Sequence, residues 1–513
     1  MSINIIPLPK HIEEDPFGGY ALLKPVLCVP EQWERAAAAF CGYASGIGIH
    51  FEIRVNDSAD SCGSCVNCPV GSSEQIIIAY EKGSVRYSGG YELCINSGGG
   101  YICAADETGF SRGLATLFQL IRAGGSAEKS GLALPVVKIE DGPDCSYRGM
   151  MVDLARYWHP FEFLLSYIDL CWYYKLSSLH LHFTDDQSYT LPGKKYPKLS
   201  TSGRSYSFEE ISRLNRYALD RGIEIIPEVE VPGHNSGFSA GYPELFGTNG
   251  IICMHEDSVS AIADIFREVC ELFPYSRHIH LGGDEANLKR WLDCPECMEY
   301  ARSIGIDTNA PGEEICDRLY VDFIVRTAGV IKEKGKIPIV WEGFPKHMNH
   351  LVPKDIVVMS WENYYQITPD LLEAGFEIIN CSWNPMYIVA PDVKWTPEEV
   401  NAWSIFKWRP VHPGSPFIGR EYESEPTDKV LGGQLLAWGD RVISAYAGNE
   451  NQGAFVEMKL LSERLPYLAQ NTWNRDGREE FSSISRVVDN VRPRIESVLL
   501  SRVGELTGGT DRK

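Results

Sequence analysis

Positive charge is scarce in this chain of 513 residues: 48 Lys and Arg stand against 69 Asp and Glu, a formal net charge of -21. Nucleic acid and anionic membrane are therefore not expected as main partners, because both demand a basic surface. Long apolar runs are missing as well. No stretch is long enough to span a bilayer, so an integral membrane protein is not expected. The segment from Met1 to Pro9 lacks a basic region leading into a long apolar core, so no secretory signal is read there. The 15 cysteines are odd in number and scattered, without the spacing of a disulfide framework. That usage fits a reducing compartment, and the cytoplasm is the expected location.

What is present fits a globular chain: 44% apolar and 23% charged residues. The length accommodates a large barrel with a smaller module beside it. Residues 1–143 have the texture of a small α+β module. Its expected strands are 75–80, 91–95 and 101–105, the last two paired across the turn at Ser97-Gly98-Gly99-Gly100. A helix is expected over 110–122, with Leu114, Leu117, Phe118 and Ile121 at helical spacing. No catalytic constellation is visible in this part. Two cysteine clusters stand out, Cys62/Cys65/Cys68 and Cys294/Cys297. They would form a zinc site only if loops from different domains met, and no His accompanies them at a suitable spacing. A reduced polar loop is the favoured reading, and no metal or other cofactor is expected.

Residues 144–448 change character. Short apolar runs alternate with amphipathic stretches eight times, as parallel strands do with crossover helices. The expected strands are 149–154, 178–183, 224–229, 278–282, 338–341, 356–361, 377–381 and 432–438, with helices over 161–174, 207–221, 259–272 and 316–334. Eight units in this length point to an α/β fold, a closed (β/α)₈ TIM barrel. Residues 449–513 supply two more amphipathic helices, broken near 471–477, the first closing the barrel and the second flanking it.

Barrel chemistry sits at the carboxyl ends of the strands. The first four ends carry Asp153 and Arg156; His180, His182, Asp185 and Asp186; Glu228, Glu230 and His234; and Asp284 with Glu285. The last four carry Trp341, Trp361, Trp383 with Tyr387, and Trp438 with Asp440. Indole faces stack on the C–H faces of a sugar, while carboxylates and Arg bind its hydroxyls. Each of these residues also has a plainer reading. Any single Trp fits a core, Tyr387 fits a buried tyrosine, Arg156 fits an ion pair with Asp153, and His182 fits a fixed pair with Asp185. His234 fits a partner that tunes a neighbouring acid.

The stretch His278-Ile-His-Leu-Gly-Gly-Asp-Glu285 organises the rest. A short buried strand runs into two glycines, which permit a sharp turn and a close ligand approach, and then into adjacent acids. Paired carboxyls with different ionisation serve glycosidic cleavage. The plainer alternative is a helix start over 286–292 capped by Asp284 and Glu285.

His-Leu-Gly-Gly-Asp-Glu at 280–285, His182-Phe-Thr-Asp-Asp-Gln-Ser188, Pro-Glu-Val-Glu-Val-Pro-Gly-His at 227–234 and Trp438-Gly-Asp440 resemble glycoside hydrolase family 20, the β-N-acetylhexosaminidases. The stretch from Tyr91 to Ile121 resembles that family's N-terminal accessory domain. The resemblance implies a retaining exo-hydrolase acting on oligosaccharides or glycoconjugates with a terminal β-linked GlcNAc or GalNAc, whose 2-acetamido group is the nucleophile. It implies Glu285 as general acid and base with a raised pKa, Asp284 orienting and stabilising the acetamido group, and Tyr387 binding the amide oxygen. Arg156, Asp185, His234, Trp341, Trp361, Trp438 and Asp440 would line or support the sugar subsite. Two positions depart from the family pattern: Val389 stands where many members carry Asp, and Asp440 where they usually carry Glu. Both bear on the choice between gluco and galacto sugars. Two other readings are a metal-dependent amidohydrolase-type barrel using His180 and His182, and a sugar-binding protein without turnover. Oligomeric state is not legible.

Overall fold

The computed structural model describes residues 3–22, 25–56, 77–83, 85–96, 99–123, 132–477, 479–504 and 506. Cys62, Cys65 and Cys68, together with the turn residues Ser97 and Gly98, lie outside them.

The N-terminal part is built on one mixed sheet. Its strands run in the order His11–Leu22, Leu132–Asp141, Tyr91–Asn96, Gly99–Ala104, Ile77–Lys82, Val26–Pro30, Glu52–Asn56, with the short Arg122–Ala123 paired to Leu132–Asp141. The expected hairpin forms, Tyr91 opposite Ala104 and Asn96 opposite Gly99. The helix Glu107–Leu120 starts where the Asp106 carboxylate accepts the Gly109 amide at 2.8 Å, and nearly all of it is buried. One side lies on this sheet and the other on the barrel helix Phe161–Tyr173.

Eight parallel strands then close into a barrel: β1 (Tyr147–Asp153), β2 (Ser178–His182), β3 (Glu224–Glu228), β4 (His278–His280), β5 (Ile337–Trp341), β6 (Val357–Ser360), β7 (Ile378–Asn380) and β8 (Val430–Ala437). Closure comes from β7 pairing with β8 and β8 with β1. Their residues are almost wholly buried, as strands enclosed by side chains within and helices outside must be. All eight lie where the apolar runs predict them, with no end shifted by more than two residues. The four expected helices form as Phe161–Tyr173, Phe208–Leu219, Glu256–Leu272 and Gly312–Glu333. Phe208–Leu219 begins with a capping box between Ser207 and Glu210.

The tail supplies Glu450–Trp473, which packs on β8 and β1, and Phe481–Val503, which lies outside it against Phe161–Tyr173. A buried polar knot joins all three parts. Lys175 Nζ lies 3.4 Å from Asp141 Oδ2 and donates to Tyr91 Oη at 3.0 Å, and Trp473 Nε1 donates to Asp141 Oδ1 at 2.7 Å.

Candidate active site

β4 is only three residues long, and its exit is forced by the two glycines that follow. Gly282 and Gly283 take φ of 76° and 110°, which other residues rarely adopt. A Cβ on Gly282 would come 2.0 Å from Glu230 Oε2, and one on Gly283 would come 2.7 Å from Val340 Cγ2. At both positions the space a side chain would need is filled by the protein's own side chains. Glu230 Oε1 accepts the Gly283 amide at 2.9 Å, and Tyr320 Oη donates to the Gly283 carbonyl at 2.5 Å. The turn presents Asp284 and Glu285, the latter at a left-handed φ of 49°. Neither acid caps a helix. The next element is a short 3₁₀ turn, Leu288–Trp291, with no side-chain cap.

The two acids face different surroundings. Burial pushes the Asp284 carboxyl up to about 6, although the nearby His234 charge pulls the other way. Glu285 has a half-exposed side chain, and a hydrogen bond to His234 holds its carboxyl below the usual range. This reverses the sequence expectation of a raised Glu285. In the open site the proton of the pair resides on His234. Burial would strip that proton, but hydrogen bonds with Asp185, Asp186 and Glu285 keep the imidazole charged. Oxygens of Asp284 and Glu285 and a ring nitrogen of His234 all lie within 4.8 Å of one another.

Behind this pair runs an alternating chain of carboxylates and imidazoles. Glu285 Oε2 is 3.3 Å from His234 Nε2, and His234 Nδ1 is 3.4 Å from Asp185 Oδ1. Asp185 Oδ2 is 3.0 Å from His182 Nε2, and His182 Nδ1 is 2.5 Å from Glu228 Oε2. Burial would raise the Asp185 carboxyl, yet hydrogen bonds with His182 and His234 hold it far below its usual range. His182 is driven up to about 10 by Glu228 and Asp185 in spite of its burial. His180, desolvated, falls to about 4 and stays neutral. Glu228 also accepts Trp341 Nε1 at 2.5 Å, and His180 Nε2 lies 3.1 Å from it. The β2 histidines thus turn towards a protein carboxylate inside the barrel.

Arg156 spans the first strand end. Its guanidinium is 3.1 Å from Asp153, 2.8 Å from Asp185 and 3.4 Å from Asp440, and it lies over the Trp438 ring at 5.0 Å. Asp153 also accepts the Gly439 amide at 3.1 Å, which ties the β8 exit to the β1 exit.

Across the mouth stands an aromatic box. A two-residue strand, Tyr387–Ile388, pairs with β8 and sets Tyr387 beside Trp438, with ring centroids 5.9 Å apart. Tyr387 is parallel to Trp361 at 6.2 Å and 5.9 Å from Trp383. Trp341 lies deeper, 1% exposed and 6.1 Å from Trp438, as floor rather than wall. The indole nitrogens of Trp361 and Trp438 and Glu362 Oε2 are buried without a protein hydrogen-bond partner. Val389 packs against the core, and Asp440 remains half-exposed beside Arg156.

Asp284, Glu285, Tyr387, Arg156, Asp185, His234, Trp361, Trp438 and Asp440 are thus gathered around one barrel mouth, with Trp341 beneath them. Glu362, which directly follows Trp361 at the β6 exit, joins them although no motif marks it in the sequence. Burial and its neighbour Glu342 push its carboxyl up to about 8, and it senses both Asp284 and Glu285. Glu230, one of the acids at the third strand end, has no assigned task in the sequence. Buried against Asp284, it is held well above the usual carboxyl range.

A family model described as "Glycosyl hydrolase family 20, catalytic domain" matches residues 145–450, and one described as domain 2 of the same family matches residues 2–142. The beta-hexosaminidase of Akkermansia muciniphila is 34% identical over 335 residues, covering 59% of this chain and 65% of that protein. That of Porphyromonas gingivalis is 25% identical, covering 96% of this chain and 63% of that protein. The chain matches less than two-thirds of the length of either relative. Among solved structures, a β-N-acetylhexosaminidase from Bacteroides fragilis shares the fold over 100% of both chains, with a TM-score of 0.73 at 22% identity. A Vibrio harveyi exo-β-N-acetylglucosaminidase, solved in complex with N-acetylglucosamine, gives 0.74 at 20% identity, covering 98% of this chain and 79% of that one.

Proposed function

The chain belongs to glycosyl hydrolase family 20, and from that premise we propose a retaining exo-β-N-acetylhexosaminidase. Its substrate is an oligosaccharide or glycoconjugate ending in β-linked GlcNAc or GalNAc, and the sugar's own 2-acetamido oxygen is the nucleophile. One observation carries the reading. Adjacent carboxyls, one half-buried and pushed up to about 6 and the other open and paired with a charged imidazole, face a box of indoles and a tyrosine. The names of the relatives and the N-acetylglucosamine bound in the Vibrio harveyi structure support the same substrate class.

In the proposed cycle the sugar stacks on the indoles, while Arg156 and Asp440 take ring hydroxyls. The Asp284 carboxylate accepts the acetamido N–H, and the Tyr387 hydroxyl donates to the acetamido oxygen, turning it towards the anomeric carbon. That oxygen bonds to the carbon as the bond to the leaving oxygen breaks, and Glu285 gives the leaving oxygen its proton. The proton comes from within the His234–Glu285 pair. A bound leaving group expels water, the carboxylate becomes the costlier charge, and the proton crosses the 3.3 Å contact from Nε2 to Oε2. Asp284 then faces the positive charge spread over the bicyclic oxazolinium. In the second half Glu285 takes a proton from water, whose oxygen attacks the anomeric carbon and reopens the ring with overall retention.

Parallel turnover of chromogenic β-GlcNAc, β-GalNAc and β-glucoside substrates tests this. Hydrolysis of one or both acetamido sugars with no measurable β-glucosidase activity is expected. Equal turnover of the β-glucoside would overturn the proposal.

A further inference from the structure

Three thiols converge between two strand-to-helix connections of the barrel. Cys253 lies in the connection after β3, and Cys294 and Cys297 sit at the N-terminus of the helix Pro295–Ser303 in the connection after β4. Cys253 Sγ is 3.5 Å from both Cys294 Sγ and Cys297 Sγ, and all three sulfurs lie within 4.8 Å of one another. That is far too long for a disulfide, whose sulfurs bond at about 2.0 Å. Thiolates held about 2.3 Å from one tetrahedral ion stand roughly 3.8 Å apart, close to what is seen. Cys294 and Cys297 are buried and Cys253 half-buried, and Cys297 Sγ accepts the Met254 amide at 3.3 Å, a stabilising contact for a thiolate.

We propose that Cys253, Cys294 and Cys297 bind a structural zinc ion that fastens the third strand–helix connection to the fourth. Soft sulfur ligands in a closed site select zinc over hard cations. The spacing Cys-x-x-Cys at 294–297 is one that zinc ligands use. The fourth corner falls to Glu296, whose Oε2 is 3.3 Å from Cys294 Sγ, or to water, since both His255 ring nitrogens face Ser258. In the sequence the evident partner for Cys294 and Cys297 is the distant Cys62/Cys65/Cys68 cluster, and a reduced loop is the expectation. The partner the fold supplies is instead Cys253, a lone cysteine in the sequence.

The position gives the ion a task. Ile252, next to Cys253, donates its amide to the Pro232 carbonyl at 3.0 Å, two residues before His234. Trp291, in the segment that leads from Glu285 to Cys294, donates Nε1 to the Ile252 carbonyl at 2.8 Å. The staple thus stands behind the loops that carry His234 and Glu285 and fixes their separation.

The test uses the full chain produced with zinc in the medium and dialysed. Elemental analysis should find about one zinc per chain. A Cys62→Ser/Cys65→Ser/Cys68→Ser variant should keep it, and a Cys253→Ser/Cys297→Ser variant should lose it. Two measurements on the unaltered chain stand if that last variant fails to fold. Cobalt exchange should give thiolate-to-metal charge-transfer absorption, and alkylation mapping should find the three thiols protected until a chelator is added. Absence of metal, its loss with the Cys62 cluster alone, or a disulfide among the three in non-reducing peptide maps would overturn the proposal.

Discussion

Asp284 and Glu285 share a peptide bond and little else. In the proposed cycle Glu285 provides a proton, so its worth depends on how badly the leaving group needs one. Glu285→Gln should lower kcat by about 10²–10⁴ on a natural glycoside and far less on an activated nitrophenyl glycoside. Steady-state kinetics on the two substrates checks this, and equal losses would remove the acid role. The proposed cycle needs Asp284 as a carboxylate, and burial pushes its pKa up to about 6, so kcat/KM should climb as pH rises through about 6. The same shift has a stability consequence of fixed sign. With the folded value above the unfolded 3.8, the folded state favours the protonated form, so the ionised group weakens the fold above pH 6. That penalty lifts as pH falls through 6 towards 3.8. Asp284→Asn should therefore melt higher than the parent at pH 8, with the gain gone near pH 4, while losing about 10²–10³ in kcat. A melting point below the parent's at pH 8 would contradict the burial argument. The residue types at the strand ends were legible because chemistry restricts them to few kinds. The exchange of pKa between Glu285 and His234 was not, because it depends on a 3.3 Å contact between residues 51 positions apart.

Elements were easier to read than their ends. Barrel strands are buried on both faces, so each announces itself as a short apolar run, and all eight were found. What such runs hide is where a strand stops. β4 ends at His280 because Glu230 occupies the space beneath Gly282. Only the packing of β3 against β4 reveals that. The strand Tyr387–Ile388 was invisible for the opposite reason, since two residues carry no period. Gly282→Ala adds a Cβ at positive φ, 2.0 Å from Glu230 Oε2, and should cost about 3 kcal/mol or more in urea unfolding. Removing the obstacle in a Gly282→Ala/Glu230→Ala variant should recover part of that loss. A neutral single variant would mean that the turn is not set by this contact.

At the scale of the whole molecule the three parts share one buried knot. Lys175 from the barrel, Asp141 and Tyr91 from the N-terminal sheet and Trp473 from the tail meet out of solvent. Asp141→Ala would strand the buried ammonium and one indole N–H, and should cost about 3–5 kcal/mol. Scanning calorimetry of the full chain should show the whole transition moving down together, because the parts are fastened at this point. An early, separate transition confined to the N-terminal sheet would argue that they unfold independently. Such contacts between distant segments, like the meeting of Cys253 with Cys294, leave no local pattern in the sequence, whereas the barrel repeat does.

The central claim is that the substrate supplies its own nucleophile while Asp284 and Glu285 attend it. A series of β-GlcNAc glycosides carrying acetyl, fluoroacetyl, difluoroacetyl and trifluoroacetyl on nitrogen tests it most directly, because fluorine drains electron density from the attacking oxygen and barely changes its size. kcat/KM is predicted to fall steeply and in order along the series. A flat series would contradict the account.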